Sequence, residues 1–211
     1  MYTDLCSEER KQMTAFFTGH RFLPSDETEL ISDRLFYCID TAYMQGYRRF
    51  ICGCALGFDT LAAFQTLRLK QVYPDVILSL AIPCKTQPDR WTDRDQAIYR
   101  QILEQADEKI ILSPAYYQGA MLTRNRYMAD RSSLCICYLR HMRGGTASTV
   151  RYALTRDRMK IINLAVHMDE NTLLMREEAW NCISTFRSAG RNAAIVPLSL
   201  SPGRKLIMKH I

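Results

Sequence analysis

Apolar residues in this chain come as short continuous runs separated by longer stretches of helical periodicity. The runs are TAFFTG (residues 14–19), RRFICG (48–53), DVILSLAIP (75–83), EKIILS (108–113), SLCICYL (133–139) and MKIINLA (159–165). Runs of this length without polar alternation predict strands buried on both faces, the pattern of parallel sheets. Between them SDETELISDRLFYCIDTAYMQG, FDTLAAFQTLRLKQVY, DRWTDRDQAIYRQILEQA, GAMLTRNRYMADRS and TASTVRYALTRD predict helices. In the first of these, Asp26 and Glu29 have capping-box spacing and Gly46 supplies a stop. Such regular alternation predicts an α/β fold: a Rossmann-like doubly wound, mostly parallel sheet of about six strands. The rhythm breaks after residue 165. There ENTLLMREEAWNCISTF predicts one more helix, and AAIVPLSLSPGRKLIM a strand with an irregular tail. The expected organisation is one ligand-binding domain over residues 1–165 and a C-terminal extension over 166–211, packed on the same domain.

With 211 residues, 47% of them hydrophobic, the chain has enough apolar mass for a single core. No apolar stretch approaches the roughly 20 residues that span a bilayer, so no membrane association is expected. The opening MYTDLCSEERKQM is polar and lacks the apolar segment of a signal peptide, which predicts a cytoplasmic location. The eight cysteines, at 6, 38, 52, 54, 84, 135, 137 and 182, are then expected as reduced thiols. Within each of the pairs Cys52/Cys54 and Cys135/Cys137 a single residue intervenes, which fits poorly with zinc-ligand spacing. Buried cysteines acting as small hydrophobes account for them, and no metal is expected. The net charge of +6 is unevenly placed: residues 121–160 hold nine Arg or Lys against two Asp. A local basic surface is either a solvated helix face or a docking place for an anion.

In an open parallel sheet, ligands bind beyond the carboxyl ends of the strands at the point where strand order reverses. The loops leaving the predicted strands are TGHRF (18–22), GCALGFDT (53–60), PCKTQPDRW (83–91), SPAYYQGAM (113–121) and RHMRGGTAST (140–149). They nominate Gly19, His20, Arg21, Gly53, Ala55, Leu56, Gly57, Asp59, Pro83, Trp91, Tyr116, Gly144, Gly145, Thr146, Ser148 and Thr149 as ligand contacts, with Arg124 and Asn125 from the following helix. A helix N-terminus offers free amides and a positive dipole end, and glycine lets an anion come close. The Gly144-Gly145-Thr146 turn, with Ser148 and Thr149 just inside the helix, suits a phosphate. Neither G-x-G-x-x-G nor a P-loop motif occurs. Asp59 is either an N-cap or a partner for a ribose hydroxyl. Tyr116 and Tyr117 either stack on a base or pack, and Arg124, Asn125 and Arg126 either meet phosphates or stay solvated. Trp91 is a pocket wall or a packing residue. His20 has no assignable Ser or Cys partner, and no nucleophile elbow is present.

TGHRF, GCALGFDTLAA, the stretch from RDQAIYRQIL to ADRSSLCICY, and RGGTASTVRYA together resemble the SLOG superfamily, with most similarity to its YpsA-like branch of unknown function. The resemblance covers about residues 14–165. It implies a Rossmann-like domain that binds a nucleotide or nucleotide-derived ligand, in a superfamily that includes the Lonely Guy phosphoribohydrolases and the single-strand DNA-binding DprA proteins. Lonely Guy enzymes use a motif of the form P-G-G-x-G-T-x-x-E. Laid on Gly144 and Gly145, its proline position is Arg143, its third glycine Ala147, its threonine Ser148 and its glutamate Arg151. A guanidinium cannot replace a carboxylate that stabilises an oxocarbenium-like centre or acts as a base. The resemblance therefore favours a binder or sensor of a small nucleotide-type ligand without turnover. Alternatives are a nucleotide-processing hydrolase or transferase, acting on an N-glycosidic bond or ADP-ribose, and a single-stranded nucleic-acid binder. No cofactor is assigned beyond such a ligand, no catalytic residue is named, and a homo-oligomer stays open.

Overall fold

The computed structural model describes residues 6–165 together with 194–197. Its elements are α1 (Ser7–Gln12), β1 (Thr14–Gly19), α2 (Thr28–Met44), β2 (Arg49–Cys52), α3 (Phe58–Val72), β3 (Ile77–Ile82), α4 (Asp93–Gln105), β4 (Glu108–Ile111), α5 (Ala120–Asp130), β5 (Leu134–Tyr138), α6 (Gly144–Leu154), β6 (Lys160–Asn163) and β7 (Ala194–Pro197). The strands form one sheet of order β4-β3-β2-β1-β5-β6-β7, and every pairing is parallel. All six strands expected over residues 14–165 are present, and a seventh comes from the C-terminal stretch. The predicted helix in ENTLLMREEAWNCISTF lies outside the described residues.

The strand period of two feeds two cores. Ala15, Phe17, Phe50, Leu78, Leu80, Leu134 and Ile136 face one way, and Phe16, Ile51, Ala81, Cys135 and Cys137 the other. Phe17 and Phe50 stack across β1 and β2 with ring centroids 6.1 Å apart. The first core is covered by α2, α3 and α4 through residues such as Leu35, Phe58 and Ile102, and the second by α5 and α6 through Met128, Ala129, Ala147 and Val150. Right-handed crossovers dictate this division. From β1 to β4 the chain steps one way across the sheet and keeps its helices on one face. It then returns past β1 to β5, and the later helices fall on the opposite face. The reversal lies between β1 and β5, where Gly19 pairs with Tyr138.

Element ends depart from the sequence reading in informative ways. Asp26 and Glu29 form no capping box: α2 begins at Thr28, its N-cap residue is Glu27, and no side chain caps it. Residues 25–27 are used as a turn instead, clipped by Thr28 Oγ1 donating to the Pro24 carbonyl at 2.7 Å. The Gly46 stop is present, with φ +98°. Tyr47 N donates to Ala42 O at 3.0 Å and Gly46 N to Tyr43 O at 2.9 Å, the paired bonds of a left-handed helix end. The fourth helix starts only at Asp93, after a Thr92 cap that accepts from Asp95 N. The sixth starts at Gly144, so both glycines lie in its first turn rather than in the loop before it. α1 buries no residue, which is why apolar periodicity gives no sign of it. Among the described residues the seven cysteines are unpaired, no group of three or more His, Cys, Asp or Glu is placed to hold a metal, and no helix is long and apolar enough to cross a membrane.

Candidate functional site

The loops leaving β1, β2, β3 and β5 meet at the carboxyl edge of the sheet, and glycines make the closest approaches. At Gly19 a Cβ would overlap the Phe58 ring, and at Gly57 (φ +79°) it would strike the Arg21 carbonyl. Phe58 N donates to His20 O at 3.1 Å. These glycines are thus required for the β1–α2 and β2–α3 loops to pack on each other. Arg21 is exposed, while Ala55 and Leu56 are half-buried in the second loop.

Gly53 has a different partner. Any Cβ there would occupy the Arg124 guanidinium. Arg124 comes from α5, on the opposite face, and passes over the end of β2 to reach Asp59 in α3, with Nη1 3.3 Å from Oδ2 and both side chains 7% exposed. Asp59 Oδ2 also accepts from Ala55 N at 3.3 Å. Burial pushes the Asp59 carboxyl up, against the opposing pull of the Arg124 charge and the Ala55 amide. Asp59 is therefore neither the N-cap of α3, which is Gly57, nor open to a ribose, and Arg124 does not reach toward a phosphate. Gln87 ties in the third loop, donating from Nε2 to Cys54 O at 2.7 Å.

The N-terminus of α6 is open. Gly144 (φ +81°) and Gly145 have empty space where a Cβ would point, and no side chain caps the helix. The preceding loop is pinned from three sides. Asn163 Nδ2 donates to Leu139 O at 2.9 Å while its Oδ1 accepts from Leu139 N at 3.0 Å. Arg140 N donates to His20 Nε2 at 2.9 Å. Arg151, at the position of the Lonely Guy glutamate, donates through Nη2 to the Met142 carbonyl. Thr149 is not free for a ligand: its hydroxyl donates to Gly145 O at 2.8 Å and accepts from Asn125 Nδ2 at 2.6 Å. Thr146 is buried and Ser148 half-buried.

Between this helix and β1 lies a polar cluster that local sequence spacing does not announce. Tyr138 Oη donates to Glu27 Oε2 at 3.1 Å, and Arg140 Nη1 lies 3.4 Å from Oε1. His20 meets the Tyr138 ring edge-on with centroids 6.1 Å apart, and His141 is 5.6 Å away. Burial, then the charges of His141 and Arg140, lower the His20 pKa. Accepting the Arg140 amide holds its Nε2 unprotonated. The sequence reading does not nominate Glu27, Tyr138 or Arg140; the available signal is that Arg140 opens the loop 140–149 and Tyr138 stands just before it, whereas Glu27 lies beyond the loop 18–22 with nothing local to mark it. Of the other nominated residues, Pro83 is buried at the end of β3, Trp91 packs edge-on against Tyr99 at 5.4 Å, and Tyr116 is 63% exposed in the loop after the edge strand β4.

The chain is similar to several known proteins. It is 31% identical over 117 residues to the uncharacterized SPbeta prophage-derived protein YoqJ of Bacillus subtilis, a match covering 50% of this chain and 68% of that one. It is 29% identical over 83 residues to a UPF0398 protein of Staphylococcus epidermidis, covering 38% of this chain but only 44% of that protein's length. In fold it is similar to DNA processing protein A of Helicobacter pylori, whose structure describes a single-stranded DNA binding mode, at TM-score 0.54 and 15% identity over 87% of this chain and 83% of that one. The same protein from Streptococcus pneumoniae superimposes at TM-score 0.53 and 16% identity, over 87% of this chain and 59% of that one. At these identities the likeness is one of fold, and it agrees with the Rossmann-like topology. The model of the YspA SLOG family (YpsA) matches residues 23–169, from just after TGHRF through the α6 glycines, and this chain belongs to that family.

Proposed function

We propose that the crevice between β1 and β5 binds a phosphate-bearing, nucleotide-derived small molecule, and that the protein acts as a cytoplasmic binder or sensor without turnover. The observation that carries this reading is the uncapped N-terminus of α6, standing beside the reversal of strand order with open space at Gly144 and Gly145. Helix amides and the dipole favour an anion there, and Arg140, His141 and Arg143 belong to the same loop. Arg151 supports the reading without turnover: it secures a loop carbonyl at the position that the Lonely Guy motif, laid on Gly144 and Gly145, fills with a glutamate.

Calorimetry with AMP, ADP and inorganic phosphate tests the site. Gly145→Asp places bulk and negative charge at the closest approach. Loss of several amide–phosphate bonds, each about 1.5–3 kcal/mol when charge-assisted, should weaken binding at least about a hundredfold. Unchanged affinity in a folded Gly145→Asp protein makes the glycines a turn and nothing more. Chromatography of the same mixtures should show no released base; a product peak sinks the no-turnover reading.

A second reading draws on the basic excess of residues 121–160 and on the DNA processing protein A likeness: a single-stranded nucleic acid held along α5 and α6. Arg126 and Arg156 lie over the Tyr152 ring at 5.3 and 4.5 Å, and Arg131 over Tyr127 at 3.8 Å. It requires oligonucleotide affinity that rises with length and falls linearly in log–log fashion with salt.

A further inference from the structure

Glu27 occupies the N-cap position of α2, where an acidic side chain ordinarily turns onto its own helix's free amides. Here it does not: the residue has helical φ and ψ and makes no capping bond. The side chain crosses instead to the end of β5. Tyr138 holds Oε2 and Arg140 holds Oε1, with the Glu27 and Arg140 side chains 22% and 27% exposed. A carboxylate oxygen accepts two hydrogen bonds, so each oxygen keeps acceptor capacity after these tethers are made. The tethers are stiff, since the Tyr138 ring is buried, stacked on Phe58 and met edge-on by His20. Arg140 offsets the negative charge, so the carboxylate need not repel a phosphorylated ligand. Glu27 thus stands at the β1/β5 edge on the α2 side of the sheet, while the open amides of α6 stand on the other side.

Resting on the anion-site reading above, we infer that Glu27 is the sugar-reading residue. Its oxygens accept hydrogen bonds from the vicinal hydroxyls of a ribose whose phosphate lies at the α6 N-terminus. The ligand class is therefore a ribonucleotide or a phosphorylated ribose, and the 2′-deoxy counterpart is disfavoured. Discrimination of this kind is strong because a polar group built to meet a hydroxyl is left unmatched by the analogue that lacks it.

The test is calorimetry on the full chain with two probe pairs, AMP against 2′-deoxy-AMP and ribose 5-phosphate against 2-deoxyribose 5-phosphate. Each ribose form should bind at least about tenfold more tightly. Glu27→Gln should reduce that preference to near unity, weakening the ribose probes most and the deoxy probes, which keep the 3′ hydroxyl, less. Tyr138→Phe keeps the ring and the carboxylate but removes one tether; it should lower the preference partway, and it serves alone if Glu27→Gln does not fold. Equal binding of both members of each pair, or a preference that survives in both variants, overturns the role of Glu27. If that happens while Gly145→Asp still abolishes binding, the anion site stands without it. If no probe binds, both fall.

Discussion

At Gly53 the addition of a single methyl group should be felt across three elements. Gly53→Ala displaces the Arg124 guanidinium and leaves Asp59 as an uncompensated buried charge. Breaking a buried pair from one side costs about 3–5 kcal/mol, so urea denaturation should show a loss of that size, whereas a deficit below about 1 kcal/mol would mean the pair relocates intact. The glycine was legible in the sequence and its reason was not, because the partner arrives from a helix on the far face of the sheet. The same distance explains why the sequence alone reads Asp59 as an N-cap or a sugar ligand. His20 makes a second test. Its pKa is lowered in the folded chain, so between that value and the ordinary midpoint near 6.5 the unfolded chain binds more protons. The stability it contributes is complete above about 6.5 and is lost as pH falls through the folded value. His20→Gln should flatten the acid side of a melting-temperature profile from pH 8 to 5; an unaltered profile would remove His20 from the account.

Helices and strands were largely legible because period and length are local properties. The continuous runs identify strands buried on both faces, and all six within residues 14–165 are found. Boundaries were less legible where a cap outranks a promising sequence. Thr92, not the earlier DRW segment, starts α4, accepting from Asp95 N at 3.2 Å and donating to Asp95 Oδ2 at 2.8 Å. Thr92→Ala should lower stability by about 1 kcal/mol in the same denaturation assay, and no change would assign the start to residues further on. For α6, Arg151→Glu removes the anchor of the Met142 carbonyl. It should loosen the β5–α6 loop, read as faster amide exchange over 140–145, without creating base release from AMP, since one carboxylate does not rebuild a site.

As a whole the molecule relies on packed faces of one sheet. With its described cysteines unpaired and no metal-holding cluster among the described residues, chelator and reductant should leave the melting temperature nearly unchanged. A fall of about ten degrees, several kcal/mol for a chain of this size, would reveal a staple. The strand order has a consequence for how the protein is made. β1 is a central strand, yet one of its neighbours is β5, with Ala15 opposite Leu134. On a ribosome, β1 to β4 and their helices emerge while that flank of β1 still shows a row of unsatisfied amides and carbonyls. Such an edge invites foreign strands, and pairing across so long a stretch of chain is slow. The time between the emergence of β4 and the docking of β5 is therefore the interval in which the nascent chain is most exposed to mispairing, and a translational pause within it matters more than one after β5 has docked.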